Sequence, residues 1–461
     1  MKKEQTQNTV SRRGMLKFLG GATAGAGAAM MGACQSNPST PSSASAASGM
    51  SLDIGKANLP KAKGPRAVVV GGGWSGLTMA KYLKKYYDKF DVVLVEKNST
   101  FFSCPMSNIW MTGADPQVDT DFMRHSYADA AKNNNYIFFN ACAINADRKN
   151  KVLYTDQGSI DYDYLVVAPG IDYDYSRIGV TPEQEYILRK EYPAGFMPGS
   201  EHLSLKEKLE DFDGGTFLLT VPKGNYRCLP APYERTCLIA DYFKKNKIDG
   251  KVVLLDMNPD ITIKKKGFHH AFDNLYKGIV QYVKSANIVA VDPIKKTVTT
   301  NTEGFEDVYK FDDAAIYPPV RAAKLIEIMG LAKEGSQHEA DIDPFTYQAK
   351  GDEHVYVTGD ARFMGYSKSG NTSNSEAHYV AKVVAAHAQG KPLPKWESPH
   401  TICYSAVKSS PLESIMVDAK YKYKGRKLAG FTDVTLKEQW SPQLGQANIA
   451  WAEGMFNDMF A

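Results

Sequence analysis

The residues with the most capacity for chemistry are six cysteines, Cys34, Cys104, Cys142, Cys228, Cys237 and Cys403, and a run of glycines at Gly71, Gly73 and Gly76. No two cysteines form C-x-x-C, so neither a zinc site nor a thioredoxin-like centre is expected, and no C-x-x-C-H is present to hold haem. On composition alone the thiols read as one or two structural bridges plus a buried thiol. The glycines are more specific. They form G-x-G-x-x-G through Trp74 and Ser75, directly after the run Ala67-Val68-Val69-Val70 and before an amphipathic stretch (Leu77, Ala80, Leu83, Tyr87). Gly71 permits a tight turn, Gly73 lets backbone approach a pyrophosphate, and Gly76 lets helix and strand pack closely. The helix N-terminus offers free N–H groups and positive dipole to the phosphates. A second apolar run, Val92-Val93-Leu94-Val95, ends in Glu96 at the ~20-residue distance where an acid accepts hydrogen bonds from an adenosine ribose. With Lys97 beside it, this completes a βαβ dinucleotide unit.

The remaining elements must position those groups. Residues 119–132 read as a helix, 136–139 as a strand, and 152–154 with 160–162 as a hairpin about Asp156-Gln157-Gly158. Tyr164–Val167 runs as a strand into Ala168-Pro169-Gly170, much like the segment that closes the first part of two-dinucleotide-domain flavoproteins. A second α/β region follows, with strands at 216–221 and 251–256 and a helix at 238–245. The turn between, Pro222 to Arg235, has no G-x-G-x-x-G, and Pro222, Pro230 and Pro232 remove N–H donors that a pyrophosphate would require. This region therefore has the layout of a nicotinamide-binding half without its chemistry. Tyr317-Pro318-Pro319 marks a return to the first domain. There Thr358-Gly359-Asp360 reads as a second flavin fingerprint, with Gly359 close to the cofactor and Asp360 toward the ribityl and phosphate, and a helix follows over 374–386. The tail from Lys391 reads as shorter and irregular, and its terminal aromatics, Trp451 among them, as a core cap or a flavin-facing surface.

Length allows two or three domains with a substantial core in 461 residues. The formal charge of +4 is carried entirely by the first 34 residues, where Lys2, Lys3, Arg12, Arg13 and Lys17 face only Glu4. The remainder is near neutral, which argues against a nucleic-acid partner. Ser11-Arg12-Arg13-Gly14 before a Gly/Ala-rich, weakly apolar segment resembles a twin-arginine export signal, too short and glycine-rich for a membrane span. Met31-Gly32-Ala33-Cys34 resembles a lipoprotein cleavage box that would leave Cys34 lipidated. Residues 35–51 fit either an anchor's flexible spacer or a disordered terminus. A periplasmic destination is expected, one that permits disulfides, with Cys34 as the candidate tether.

Together these segments resemble the flavoprotein subunit of flavocytochrome c sulfide dehydrogenase, within the FAD/disulfide reductase superfamily. The similarity runs from about Pro65 to Ala461. It is carried by Phe102-Ser103-Cys104-Pro105, Tyr226-Arg227-Cys228 with Tyr233-Glu234-Arg235, Thr358-Gly359-Asp360-Ala361, and Cys403-Tyr404-Ser405. The resemblance implies an α/β fold of two Rossmann-like, glutathione-reductase-like dinucleotide domains plus a small C-terminal α+β domain. Its boundaries would be a leader at 1–34, a linker at 35–64, an FAD domain at 65–178 and 322–392, a second Rossmann-like domain at 179–321, and a C-terminal domain at 393–461. It implies FAD held by the glycine loop, Glu96, Lys97, Gly170, Gly359, Asp360 and Trp451, and attached covalently through Cys104. It further implies a redox-active disulfide between Cys228 and Cys403 with Glu234 beside it, sulfide as substrate and a separate c-type cytochrome as acceptor. Cys237 departs from this pattern as an extra thiol that competes for Cys228. The rival expectations are a sulfide:quinone or other NAD(P)H-independent flavin oxidoreductase, and a non-catalytic flavin docking module.

Overall fold

This computed structural model describes Leu52 and residues 54–461; the expected export signal, Cys34 and most of the expected spacer lie outside the described residues. The apolar runs of the first βαβ unit become the interior of a five-stranded parallel sheet. Its order is Val355–Val357, Tyr164–Val167, Arg66–Val70, Asp91–Glu96 and Ile137–Asn140. Val68, Val69, Val93, Leu94, Leu165 and Val166 are fully buried, as expected of strands covered on both faces. The chain leaves Arg66–Val70 in one direction and later returns to its other side, so the C-terminal end of that strand is the topological switch point where such sheets bind ligands. Helix Trp74–Tyr86 begins there, and helix Gly370–Ala388 packs along it.

The second region repeats the plan with four parallel strands, ordered Val280–Val283, Asp249–Asp256, Gly214–Val221 and Asp313–Ala315. An antiparallel pair, Ile171–Tyr173 with Val320–Ala322, marks the two crossings between the regions. The helix after Gly214–Val221 runs from Ala231 to Asn246, seven residues earlier than the expected start at 238. Pro230 and Pro232 do not delay it, because proline is tolerated in a first turn whose N–H groups have no helical partner. Glu234 and Arg235 thus lie on a helix and not in a loop.

Two other expectations are corrected. The stretch 119–132 is not one helix: Thr120–Met123 and Tyr127–Asn133 are separated by a short strand, Arg124–Ser126, which pairs with Thr100–Phe102. Asp119 and Ser126 each cap a separate helical turn by accepting from Phe122 N and Asp129 N. The tail is regular. Strands His400–Lys408, Glu413–Lys424 and Lys427–Ser441 form an antiparallel sheet, and helix Pro442–Phe460 closes the chain, started by Ser441 accepting from Leu444 N with Pro442 in its first turn. That helix returns to the first domain, where Asp458 accepts from Tyr82 Oη at 2.6 Å and from Asn374 Nδ2 at 2.8 Å.

Two details fix the backbone around the switch point. Gly71 has φ +98°, and a Cβ on Gly76 would stand 1.7 Å from the Gly71 carbonyl oxygen, which no flexible side chain can relieve. Arg362 and Glu376 form a fully buried ion pair at 2.7 Å, and Glu376 also accepts from Gly359 N. Removing one partner of such a pair typically costs about 3–5 kcal/mol. Glu376→Ala should therefore lower unfolding free energy by that order in a denaturant titration, and Gly76→Ala should yield protein without yellow colour; wild-type stability or wild-type colour, respectively, would contradict these roles.

Candidate functional site

At the switch point the glycine loop has the geometry its sequence implies. Gly73 precedes the helix without any side-chain cap, and a Cβ there would meet nothing within 4 Å, so its face of the loop is open. Gly170, with φ +76°, is open in the same way. Glu96 reaches back to the loop, accepting from Gly72 N at 2.7 Å and from Asn98 N at 2.8 Å; Lys97 beside it is exposed. Ser75 Oγ donates to Thr358 Oγ1 at 2.6 Å, which ties the first fingerprint to the second. Trp74 stacks on Trp451 with ring centroids 6.0 Å apart and 8° between planes. The indole N–H groups of both are buried without a partner. Uncapped helix N–H groups, two open glycines and two unanswered indole donors fit a bound dinucleotide, and FAD is the one these fingerprints suit. When bound, FAD supplies a two-electron acceptor able to pass electrons on singly.

The second fingerprint contributes Gly359, at φ +73°, and Asp360, 6 % exposed. Asp360 is 3.3 Å from Arg227 Nε and accepts from Ser373 Oγ at 3.4 Å. Cys104 is half-buried, its Sγ 3.8 Å from the Phe196 carbonyl. Burial pushes its thiol up, while Arg227 and Arg235 pull it back. The loop carrying that carbonyl is held from below: Glu201 accepts from Gly195 N at 2.7 Å and Tyr173 Oη at 2.7 Å, and Arg235 donates to the Ala194 and Gly195 carbonyls at 2.6 and 2.8 Å.

Cys228 and Cys403, 175 positions apart in the chain, meet: their sulfurs are joined by a hydrogen bond, each standing as a free thiol. Cys228 sits at φ +57° in the turn before the Ala231–Asn246 helix, its N–H donating to the Lys368 carbonyl at 2.7 Å. Cys403 lies in the His400–Lys408 strand. The helix places Glu234 between the two segments, where it accepts from Ala406 N at 2.7 Å and Asn108 Nδ2 at 3.0 Å. Burial lifts the Glu234 carboxyl to about 7, against those two donors. It forms no ion pair with Arg235, which is engaged by Asn108 and the 194–195 carbonyls. Cys237, the rival partner for Cys228, is wholly buried one helical turn beyond Glu234 and takes no part in the pair.

Sequence reasoning did not find Lys264. It is 2 % exposed, adopts φ +53°, and donates to Ser405 Oγ at 2.7 Å and the Cys403 carbonyl at 3.0 Å, with Cys403 Sγ at 3.7 Å. The hydrogen bond from Cys228 lowers the Cys403 thiol to about 6; Lys264 and Ser405 add to this against burial. The same hydrogen bond, followed by burial, drives Cys228 upward. Nothing local in Thr262-Ile263-Lys264-Lys265-Lys266 separates the buried lysine from its exposed neighbours. Asn108, which bridges Glu234 to Arg235, was equally invisible.

Three comparisons bear on the chain. A profile described as the central part of the sulfide dehydrogenase [flavocytochrome c] flavoprotein chain matches residues 203–312, the stretch that holds Cys228, Glu234 and Lys264. A pyridine nucleotide-disulphide oxidoreductase profile matches residues 65–187. The mitochondrial sulfide:quinone oxidoreductase of Dictyostelium discoideum is 26 % identical over 373 residues, 78 % of either chain. A sulfide dehydrogenase [flavocytochrome c] flavoprotein chain from Chlorobaculum thiosulfatiphilum is 51 % identical over 43 residues, 9 % of this chain and 90 % of that sequence. Among solved structures, the sulfide:quinone oxidoreductase of Aquifex aeolicus superposes with a TM-score of 0.70 at 15 % identity, covering 86 % of this chain and 91 % of that one.

The raised Glu234 carboxyl has a stability signature. Its ordinary value of 4.5 applies in the unfolded chain and about 7 in the folded one, so folding favours the protonated form. Its contribution is fully present below pH 4.5 and is lost as pH rises toward 7. The stability of the wild type relative to Glu234→Gln should fall by up to about 3 kcal/mol across that window. A difference that stays flat with pH would show that the carboxyl is not desolvated.

Proposed function

We propose that this chain is a sulfide-oxidising flavoprotein, of the kind of the flavocytochrome c sulfide dehydrogenase flavoprotein chains and sulfide:quinone oxidoreductases it is similar to, and that it oxidises sulfide through a reversible Cys228–Cys403 disulfide and delivers the electrons to a separate c-type haem protein. The single observation that carries this reading is the hydrogen-bonded approach of those two sulfurs beside a buried carboxyl. Hydrosulfide is a soft nucleophile, and a disulfide is its matching electrophile. Attack forms a persulfide on one cysteine and releases the other as thiolate. Glu234 takes the proton when the attacking species is hydrogen sulfide, a task suited to a carboxyl lifted to about 7. Arg227 and Asp360 hold the turn between Cys228 and the second fingerprint, which keeps the sulfurs against the cofactor side of the domain.

Cys104 is the proposed covalent attachment point. Its place between Arg227, Arg235 and the Phe196 carbonyl, on the fingerprint side of the cysteine pair, supports that role. An attached flavin would not be lost in the periplasm, where the twin-arginine leader directs the chain, with Cys34 as the lipid anchor. The product is sulfane sulfur or polysulfide.

A second acceptor reading rests on the relatives named sulfide:quinone oxidoreductase. Among the described residues no helix is long and apolar enough to cross a membrane, but strand Lys427–Ser441 exposes Phe431, Val434 and Leu436, a surface a lipid-phase acceptor would need. The profile over 203–312 and the 51 % identical segment favour the cytochrome. Turnover compared with cytochrome c and with a short-chain quinone separates the two: faster reduction of cytochrome supports the proposal, and exclusive use of quinone overturns the acceptor.

Cys228→Ser and Cys403→Ser should each reduce sulfide oxidation to background while retaining flavin; turnover within about tenfold of wild type would remove the disulfide. Acid precipitation should leave the flavin in the protein pellet, and Cys104→Ala should release it to the supernatant. A colourless wild-type pellet would rule out the attachment.

A further inference from the structure

The pair is asymmetric, and the asymmetry assigns roles that the two thiols do not reveal by themselves. Lys264 makes no salt bridge, so no carboxylate stands within 4.0 Å of it among the described residues, although it is buried. Its three polar neighbours are Ser405 Oγ, the Cys403 carbonyl and Cys403 Sγ. An ammonium has three N–H donors where a neutral amine has two, so this set of contacts suits the charged form. A buried charge without a counter-ion is costly, and of the three neighbours only Sγ can become an anion.

Nothing equivalent faces Cys228. The groups that act most strongly on it are Cys403, Cys104 and Glu234, with Tyr226 and Tyr317 nearby, and the one neighbouring cation named among them, Arg227 next in the chain, is answered by the Asp360 carboxylate at 3.3 Å. The helix it precedes would ordinarily favour a thiolate through its N-terminal N–H groups. Here Pro230 and Pro232 have none to offer, and the Ala231 N–H donates to Cys228's own carbonyl at 2.9 Å. The same prolines that argue against a pyrophosphate thus also leave Cys228 without anion stabilisation.

We propose that Lys264 makes Cys403 the leaving sulfur of the disulfide, so that sulfide attacks Cys228 and the persulfide forms there. The inference rests on the disulfide reading above and gives it a direction. In the step, a hydrosulfide lone pair forms a new S–S bond to Cys228 Sγ. The Cys228–Cys403 bond breaks, and its electron pair stays on Cys403 Sγ as thiolate facing the Lys264 ammonium. The sulfide sulfur is oxidised and the disulfide is reduced by the same two electrons. No proton moves when hydrosulfide attacks; with hydrogen sulfide the proton passes to Glu234. Leaving-group departure is faster from the sulfur whose thiolate is the more stable, which is the kinetic reason the cation matters. Lys264 touches the reacting sulfur and is in that sense catalytic.

The oxidised wild-type enzyme, treated anaerobically with about one equivalent of sulfide, quenched with N-ethylmaleimide and digested, gives a direct reading by mass spectrometry. An extra sulfur on the Cys228 peptide is the expected result. An extra sulfur on the Cys403 peptide overturns the direction and leaves the disulfide intact. Sulfide consumption with no added sulfur on either peptide overturns the disulfide reading, and this inference with it. The role of Lys264 is read in the reduced holoenzyme from the pH profile of iodoacetamide alkylation at Cys403, around which the charged and titratable groups are Lys264, Cys228 and Glu234. Lys264→Met should slow alkylation near neutral pH by at least roughly tenfold, equivalent to a thiol shift of one pH unit or more, and Lys264→Arg should restore most of it. An unchanged profile in a folded Lys264→Met protein overturns the role, and the wild-type peptide result stands whether or not that variant folds.

Discussion

A buried ammonium with no carboxylate in salt-bridge contact needs an anion, and the group nearest Lys264 able to become one is a sulfur, the Glu234 carboxyl acting on it from farther off. The rest of the site is arranged around that requirement. The His400–Lys408 strand brings Cys403 and Ser405 to the lysine. The Ala231–Asn246 helix brings Cys228 to Cys403 from the other side and sets Glu234 behind them. The two sulfurs push one another's acidity in opposite directions, and Lys264 and Ser405 add to the lowering at Cys403.

The scaffold makes this arrangement rigid in a way that links distant parts of the chain. Glu234 reaches the cysteine strand through Ala406 N, and Asn108 ties Glu234 to Arg235. Arg235 then holds the loop that faces Cys104. A displacement at the proposed flavin attachment point would therefore be felt at the carboxyl beside the sulfurs. The fully buried Arg362–Glu376 pair does the same for the second fingerprint, fixing Gly359 from beneath. Such a pair is not a cheap source of stability. Its use here is to hold a backbone turn whose position matters to the cofactor.

Much of the first domain was legible in the sequence because the signals are local. Three glycines at fixed spacing, an apolar run on either side and an acid at a fixed distance define the switch point without help from the remainder of the chain. The C-terminal sheet was not legible. From Ala419 to Lys424 exposed Lys420, Lys422 and Lys424 alternate with buried or half-buried Ala419, Tyr421 and Tyr423, and Lys427–Ser441 is mostly exposed, a pattern that reads as polar loop until the partner strands are known. The helix that follows Cys228 begins at Ala231 and not at Leu238 because Pro230 and Pro232, which deny N–H donors to a pyrophosphate, are accepted in a first helical turn. Lys264 was hidden for a different reason: it stands in a run of three lysines, and only the meeting of strand and turn distinguishes one from the others. Trp451 shows the intermediate case, an aromatic whose partner Trp74 was known to matter but whose contact depends on a helix folding back across the domain.

The central claim is that Cys228 and Cys403 exchange between a bonded and an open state. Non-reducing digestion of the purified holoenzyme, with peptides identified by mass before and after anaerobic addition of sulfide, tests it most directly. The account predicts a cross-linked species joining the Cys228 and Cys403 peptides in the oxidised protein and its disappearance on sulfide addition. Peptides that are separate in both states, or Cys228 joined instead to Cys237, would contradict it.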